Sequence, residues 1–258
     1  MRKKSIFITG VASGIGRATA RLFSEKGWFV GGGDVSEDKL APLALEIGSD
    51  GCCFSPMDVT DIKSVGLAMA AFSEASGGKM DILFNCAGIL RMGRHHEISI
   101  EDHQQIVAVN LSGILNCIHA SFDLLGNTPG SRIINMSSAS ALYGTPELAV
   151  YSATKFAVRG LTEALNIEFE PRGIHVCDVM APYVKTPMII NAAVKATSVS
   201  RLGVRLQPMD VASVVWKAAA RKKVHWRVGY FLKLVMPLQW AFPFANRLMV
   251  RILSFSGK

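Results

Sequence analysis

Tyr151 and Lys155 stand four apart in the run Y-S-A-T-K, a pairing with the makings of a proton-transfer site. Residues four apart share a helix face, so a phenol and an ammonium can enter one cavity. A phenol titrates near pH ~10 and is a poor base at neutrality. A lysine cation beside it favours the phenolate and brings that value toward the range where proton transfer works. Taken alone, the pair is weak evidence, because tyrosine and lysine at this spacing are common on exposed helix faces.

The elements around the pair decide whether it can work. Val150, Ala153, Ala157, Leu161, Ala164 and Leu165 keep helical spacing, and Pro171 and Gly173 stop the helix. Upstream, Arg132–Met136 reads as a buried strand with Ser137 and Ser138 at its C-terminal end, where open α/β sheets bind ligands. Near the start, a strand at Ser5–Thr9 meets the turn Gly10-Val11-Ala12-Ser13-Gly14-Ile15-Gly16, and a helix follows from about Ile15 to Lys26. Free N–H groups and the helix dipole there suit a diphosphate. Gly10 permits the tight turn, Gly14 close approach to phosphates, and Gly16 close packing of helix on strand. The spacing G-x-x-x-G-x-G departs from the usual dinucleotide fingerprint, G-x-G-x-x-G.

A second strand, Trp28 to Gly33, ends at Asp34, which can bond an adenosine ribose and repel a 2′-phosphate. No arginine follows to welcome that phosphate, so NAD is expected over NADP. Asp34 could also cap the helix Glu37–Ile47. Cys52–Met57 reads as a third strand closing on Asp58-Val59-Thr60, where Asp58 meets an adenine amino group or the segment caps the helix Ile62–Ala75. The fourth strand, Ile82–Asn85, runs into Cys86-Ala87-Gly88, small residues against which a cofactor can lie. A long helix then carries Asn110, which could simply bond backbone. Ile174–Met180 continues into Pro182, Tyr183, Val184 and Thr186. Residues 188–207 show little pattern and read as a mobile lid. Pro208 starts a helix through Ala220, and Val224–Val228 is the last strand candidate. The alternation predicts a single α/β domain, a doubly wound parallel sheet covered on both faces, over residues 1–228.

Half of the 258 residues are apolar, which excludes disorder for the bulk of the chain. The opening run is too short for a signal-peptide core. Five cysteines without a C-x-x-C give neither a disulfide framework nor a zinc pattern, so a reducing cytoplasm is expected and no metal. The net charge of +8 is concentrated late: after Asp210 there are nine cations and no acidic residue. The tail, residues 229–258, has cations but no nucleic-acid reading motif. Its longest uncharged run, Leu234 to Asn246, is too short to span a bilayer, which takes about 20 residues. Packing on the body or at a subunit interface is the first expectation. The second is peripheral membrane contact, with Trp240, Phe242 and Phe244 inserted and Lys233, Arg247 and Arg251 near headgroups.

Taken in order, T-G-V-A-S-G-I-G (Thr9–Gly16), D-V-T (Asp58–Thr60), N-C-A-G (Asn85–Gly88), Asn110, M-S-S (Met136–Ser138) and Y-S-A-T-K resemble the classical short-chain dehydrogenase/reductase family, from about Ser5 to Asp210. The resemblance implies a Rossmann-type sheet of about seven strands and a catalytic tetrad. Tyr151 is then the acid/base, and Lys155 lowers its pKa and binds the nicotinamide ribose. Ser138, preferred to Ser137, bonds the substrate oxygen, and Asn110 holds a relay water. Cofactor contacts are implied for Gly10, Ser13, Gly14, Ile15, Gly16, Asp34, Asp58, Val59, Asn85, Ala87, Gly88, Tyr151, Lys155, Pro182, Val184 and Thr186. Two positions depart from the pattern: Cys86 where many members carry asparagine, and Tyr183 where many carry glycine.

Leu90, Met92, Ala139, Leu142, Tyr143, Tyr183 and Met188 are pocket candidates, mostly apolar or aromatic, though any of them can equally be core. They point to a hydrophobic secondary alcohol or ketone as substrate; with Asp34 the expectation is an NAD-dependent dehydrogenase, and the resemblance implies a homodimer or homotetramer. A ketoacyl-carrier-protein reductase is the alternative enzyme, and Asp34 counts against it because such enzymes generally resemble NADP users. A non-catalytic nucleotide sensor would not need the whole tetrad.

Overall fold

The computed structural model describes residues 2–230, 232 and 246–254. Seven short strands form one parallel sheet: β1 (Ser5–Thr9), β2 (Phe29–Asp34), β3 (Cys52–Pro56), β4 (Ile82–Asn85), β5 (Arg132–Met136), β6 (His175–Met180) and β7 (His225–Arg227). Their order is β3-β2-β1-β4-β5-β6-β7. The order reverses between β1 and β4, which opens a crevice at the strands' C-terminal ends.

Both faces of the sheet are covered, so its central strands β1, β4, β5 and β6 carry apolar residues toward both faces rather than strict apolar/polar alternation. Ile6, Ile8, Phe84, Ile134 and Val179 point to one face. There α1 (Gly14–Glu25) packs beside α9 (Pro208–Ala218), with α2 (Leu40–Ile47) at the edge. Phe7, Leu83, Ile133 and Val176 point to the other. That face is covered by α3 (Ile62–Ser76), α5 (Gly113–Gly126) and α6 (Ala149–Glu168). The alternation of Ile6, Phe7 and Ile8 between the two cores is the period of 2 expected of a strand.

The long helix expected around Asn110 is α4 (Ile100–Val107) running into α5 through a π-helical turn, Ala108–Ser112. Residues 100–126 are long and apolar enough to cross a membrane, yet Ile106, Ile114, Cys117 and Leu125 are buried in the domain core. The segment expected to lack pattern carries two short helices, α7 (Pro187–Ile190) and α8 (Thr197–Leu202). A parallel bridge from Val184 to Leu206 closes it as a flap. Helices of four and six residues are too short to show a period, which is why they escaped the reading. A last helix, α10 (Asn246–Ser254), packs against α8. Lys233, Trp240, Phe242 and Phe244 lie outside the described residues.

Candidate active site

A cleft of about 380 Å³ opens at the C-terminal ends of the strands. Its floor is the glycine turn between β1 and α1. A side-chain carbon at position 16 would sit 2.1 Å from the Gly10 carbonyl oxygen, so only glycine lets α1 press onto the strand. Gly14 adopts φ +50, a conformation other L residues rarely take. Ser13 makes no side-chain cap, so the first-turn N–H groups of α1 face the cleft uncapped by it. That is the arrangement a diphosphate needs.

Asp34 closes β2 at the rim. Its carboxylate accepts the Ala12 N–H at 3.0 Å and the Ser36 N–H at 2.9 Å. It therefore ties the glycine turn to the second crossover, and its remaining lone pairs are free to accept ribose hydroxyls. Asp58 accepts from the Thr60 N–H and hydroxyl, both at 2.8 Å, while lining the same end of the cleft. The residues present fit a nicotinamide dinucleotide: turn N–H groups for the phosphates, Asp34 and Asp58 toward the adenosine, and Ala87, Gly88 and Thr186 deeper in the cleft.

At the other end, α6 delivers Tyr151 in its first turn and Lys155 one turn later. The Lys155 side chain is only 4% exposed and donates to the Met136 carbonyl oxygen at 2.8 Å, and its ammonium lies 5.6 Å from the Tyr151 ring centre. Burial pulls its pKa down to about 8. The Tyr151 phenol is pushed up from its usual value, first by burial, with a hydrogen bond to Ser138 opposing. This corrects the expectation drawn from the sequence: in this site desolvation outweighs any pull of Lys155 on the phenol. Ser138 also accepts the Ser140 N–H at 3.1 Å, which fixes its hydroxyl toward α6. The Cys86 thiol, beside Lys155, is raised to about 12 by burial and stays protonated.

Ser138, Tyr151 and Lys155 meet in the cleft, together with Gly10, Ser13, Gly14, Ile15, Gly16, Asp34, Asp58, Val59, Ala87, Gly88, Pro182, Val184 and Thr186. Two polar residues do not line it. Asn85 is buried and donates to the Asn135 side chain at 2.9 Å, joining β4 to β5, so its side chain is engaged away from the cleft. Asn110 clamps the Ile89 backbone, accepting its N–H at 2.8 Å and donating to its carbonyl at 3.0 Å, with Thr154 at 3.4 Å. The π turn presents it there, and the backbone bonding left open by the sequence is what its contacts show.

Of the pocket candidates, Leu90, Ala139, Tyr143, Tyr183 and Met188 line the cleft. Met92 and Leu142 do not. Met92 is core beneath the flap, packed with Leu148, Ile189 and Val199, and its sulfur accepts the Ala196 N–H at 3.3 Å. Leu142 packs on Ala139, Met180 and Leu232. Gln105, Val109, Leu148, Ser198 and Leu202 also line it and were not singled out from the sequence. Gln105 and Val109 precede Asn110 on one helix face, a readable signal; Ser198 and Leu202 come from α8, which gave none. Among the described residues lining the cleft, Lys155 is the only cation and Asp34 and Asp58 the only carboxylates.

The short chain dehydrogenase profile matches residues 4–196. The chain is 37% identical over 216 residues to 2,5-dichloro-2,5-cyclohexadiene-1,4-diol dehydrogenase LinX of Sphingobium indicum, covering 81% of this chain and 86% of that one. Among solved structures, a short chain dehydrogenase/reductase from Burkholderia phymatum in complex with NAD superposes with TM-score 0.84 at 25% identity, covering 94% of each chain. The 3-ketoacyl-(acyl-carrier-protein) reductase of Brucella melitensis, complexed with NADH, superposes with TM-score 0.79 at 28% identity, covering 87% of this chain and 96% of that one.

Proposed function

Because the chain belongs to the short chain dehydrogenase family, we propose that this oxidoreductase oxidises a hydrophobic secondary alcohol, or reduces the matching ketone, with NAD(H). The observation that carries the reading is the Ser138–Tyr151 pair set among apolar cleft walls such as Leu90, Leu148, Met188 and Leu202. An anionic substrate would find Lys155 as its sole cleft cation, and Lys155 is already bonded to Met136. The same poverty of cations at the Asp34 end disfavours a 2′-phosphate and supports NAD over NADP.

Nicotinamide, when bound, supplies the hydride acceptor or donor. In oxidation the Tyr151 oxygen takes the alcohol proton as the carbinol hydrogen leaves with its electron pair; in reduction the phenol returns a proton to the new alkoxide. Ser138 holds the reacting oxygen. Lys155 orients the ribose side of the site through its anchored ammonium. Five free thiols suit a reducing cytoplasm, and a homo-oligomer remains our proposal for its assembly.

A ketoacyl reductase is the second reading, favoured by the likeness to the Brucella enzyme. That enzyme's complex with NADH means that cofactor choice does not separate the two. The deciding experiment follows NADH absorbance across cyclic and aromatic secondary alcohols, their ketones and a ketoacyl thioester. Turnover confined to the thioester would replace our reading with the second.

A further inference from the structure

From Val179 onward the chain carries thirteen Lys and Arg and a single carboxylate, Asp210, whereas the first 178 residues carry fifteen basic and nineteen acidic residues. The last 80 residues are thus strongly cationic on an otherwise slightly acidic body. The flap folds four of those cations, Lys185, Lys195, Arg201 and Arg205, onto its exposed surface. Between them stand large apolar side chains that are exposed: Ile190 by 56% and Val194 by 58%.

The terminal helix continues the same surface. α10 packs on α8, and Arg201 donates to the Ile252 carbonyl. Leu248 and Ile252, four apart, are 62% and 59% exposed, and Arg247 and Arg251, also four apart, are exposed beside them. A helix with one apolar and one basic row suits the headgroup–acyl boundary of a bilayer. Clustered cations at an anionic surface draw such a helix in. A cationic surface alone would fit nucleic acid as well, but the exposed Ile190, Val194, Leu248 and Ile252 need an apolar medium.

We propose that the flap and α10 together form a docking face for anionic lipid bilayers. Ser198 and Leu202 of α8 and Met188 of α7 line the cleft, so docking sets the cleft's flap side against the lipid. The inference goes beyond the proposed reaction and is tested without turnover.

The full chain is sedimented with vesicles of phosphatidylglycerol in phosphatidylcholine, and with phosphatidylcholine alone. We expect binding to the anionic vesicles that high salt weakens by about ten-fold or more. Val194→Glu with Ile252→Glu should weaken it by a similar factor, and Lys195→Glu with Arg247→Glu likewise. Circular dichroism and particle mass are measured on each variant, and the charge pair serves if the apolar pair misfolds. Failure to bind anionic vesicles at low salt overturns the proposal. So does binding that both folded variants retain, or a change of oligomer mass in the variants with vesicle binding intact, which would make this face a subunit interface. Tighter binding to a DNA duplex than to anionic vesicles would overturn it in favour of nucleic acid. If vesicles bind but no alcohol is turned over, only the proposed reaction fails.

Discussion

The Lys155 ammonium is anchored on the Met136 carbonyl at 2.8 Å, which ties α6 to the end of β5. A buried cation with a single hydrogen-bond acceptor is expensive, and burial accordingly lowers its pKa to about 8. Tyr151, one turn earlier, is half-buried, and desolvation raises its phenol. The site therefore holds both proton carriers in forms that are neutral more readily than in water.

The chemistry can be tested directly. Tyr151→Phe should lower kcat by at least ~10²-fold, the usual scale for losing a general acid/base, while NADH binding measured by fluorescence persists. Turnover close to wild type would remove Tyr151 from the acid/base role.

Lys155 carries a stability prediction of opposite sign. Its folded pKa is depressed from 10.5 to about 8, so the folded state disfavours the charged form. The penalty is full below pH 8 and fades as pH rises from 8 to 10.5, where the unfolded chain also loses the proton. Lys155→Met should raise the melting midpoint at neutral pH, lose that gain by the upper end of this window, and abolish turnover. A gain that persisted unchanged at alkaline pH would show that burial of the charge is not its cause.

The raised phenol sets the pH profile. Oxidation uses the phenolate, so its kcat/KM should climb with pH across and beyond neutrality. Ketone reduction uses the phenol, which persists over the same range and should give no such climb. A rate of oxidation that falls as pH rises through that range would contradict the assignment.

Asp34 is both a cleft carboxylate and a structural acceptor for Ala12 and Ser36. Asp34→Ala should narrow the preference for NAD over NADP and also cost roughly 1–3 kcal/mol of stability, because two backbone donors lose their partner. Asp34→Asn keeps one acceptor oxygen and should cost less. Native preference for NADP would sink the cofactor reading, whatever the stability change.

Glu147 latches the flap. It sits at φ 65, strained for a non-glycine residue, while its carboxylate accepts the Thr197 N–H at 2.5 Å and the Thr197 hydroxyl at 3.2 Å. Tyr183 adds a second tie, 2.6 Å from the Ser198 hydroxyl. Glu147→Ala should raise KM several-fold more than it lowers kcat, as binding walls on α8 loosen, and speed amide exchange over residues 187–202. Unchanged exchange there would show that the flap is held by its apolar core alone.

What the sequence determined by itself was local. Apolar runs with small loops after them gave β1, β4 and β5 their bounds, because a strand buried on both faces needs little beyond four or five consecutive apolar residues. The glycine turn, Asp34, Ser138, Tyr151 and Lys155 were legible as cleft residues because they stand at strand ends or one helix turn apart. Where side chains point across the fold was decided only by tertiary structure. Asn85 turns away to Asn135, Asn110 clamps Ile89, and Met92 goes under the flap, since partners 21 to 104 positions distant leave no spacing signal. The same holds for electrostatics. Sequence proximity put a cation next to Tyr151, but the depth of burial, which only packing sets, reversed the expected direction of its pKa.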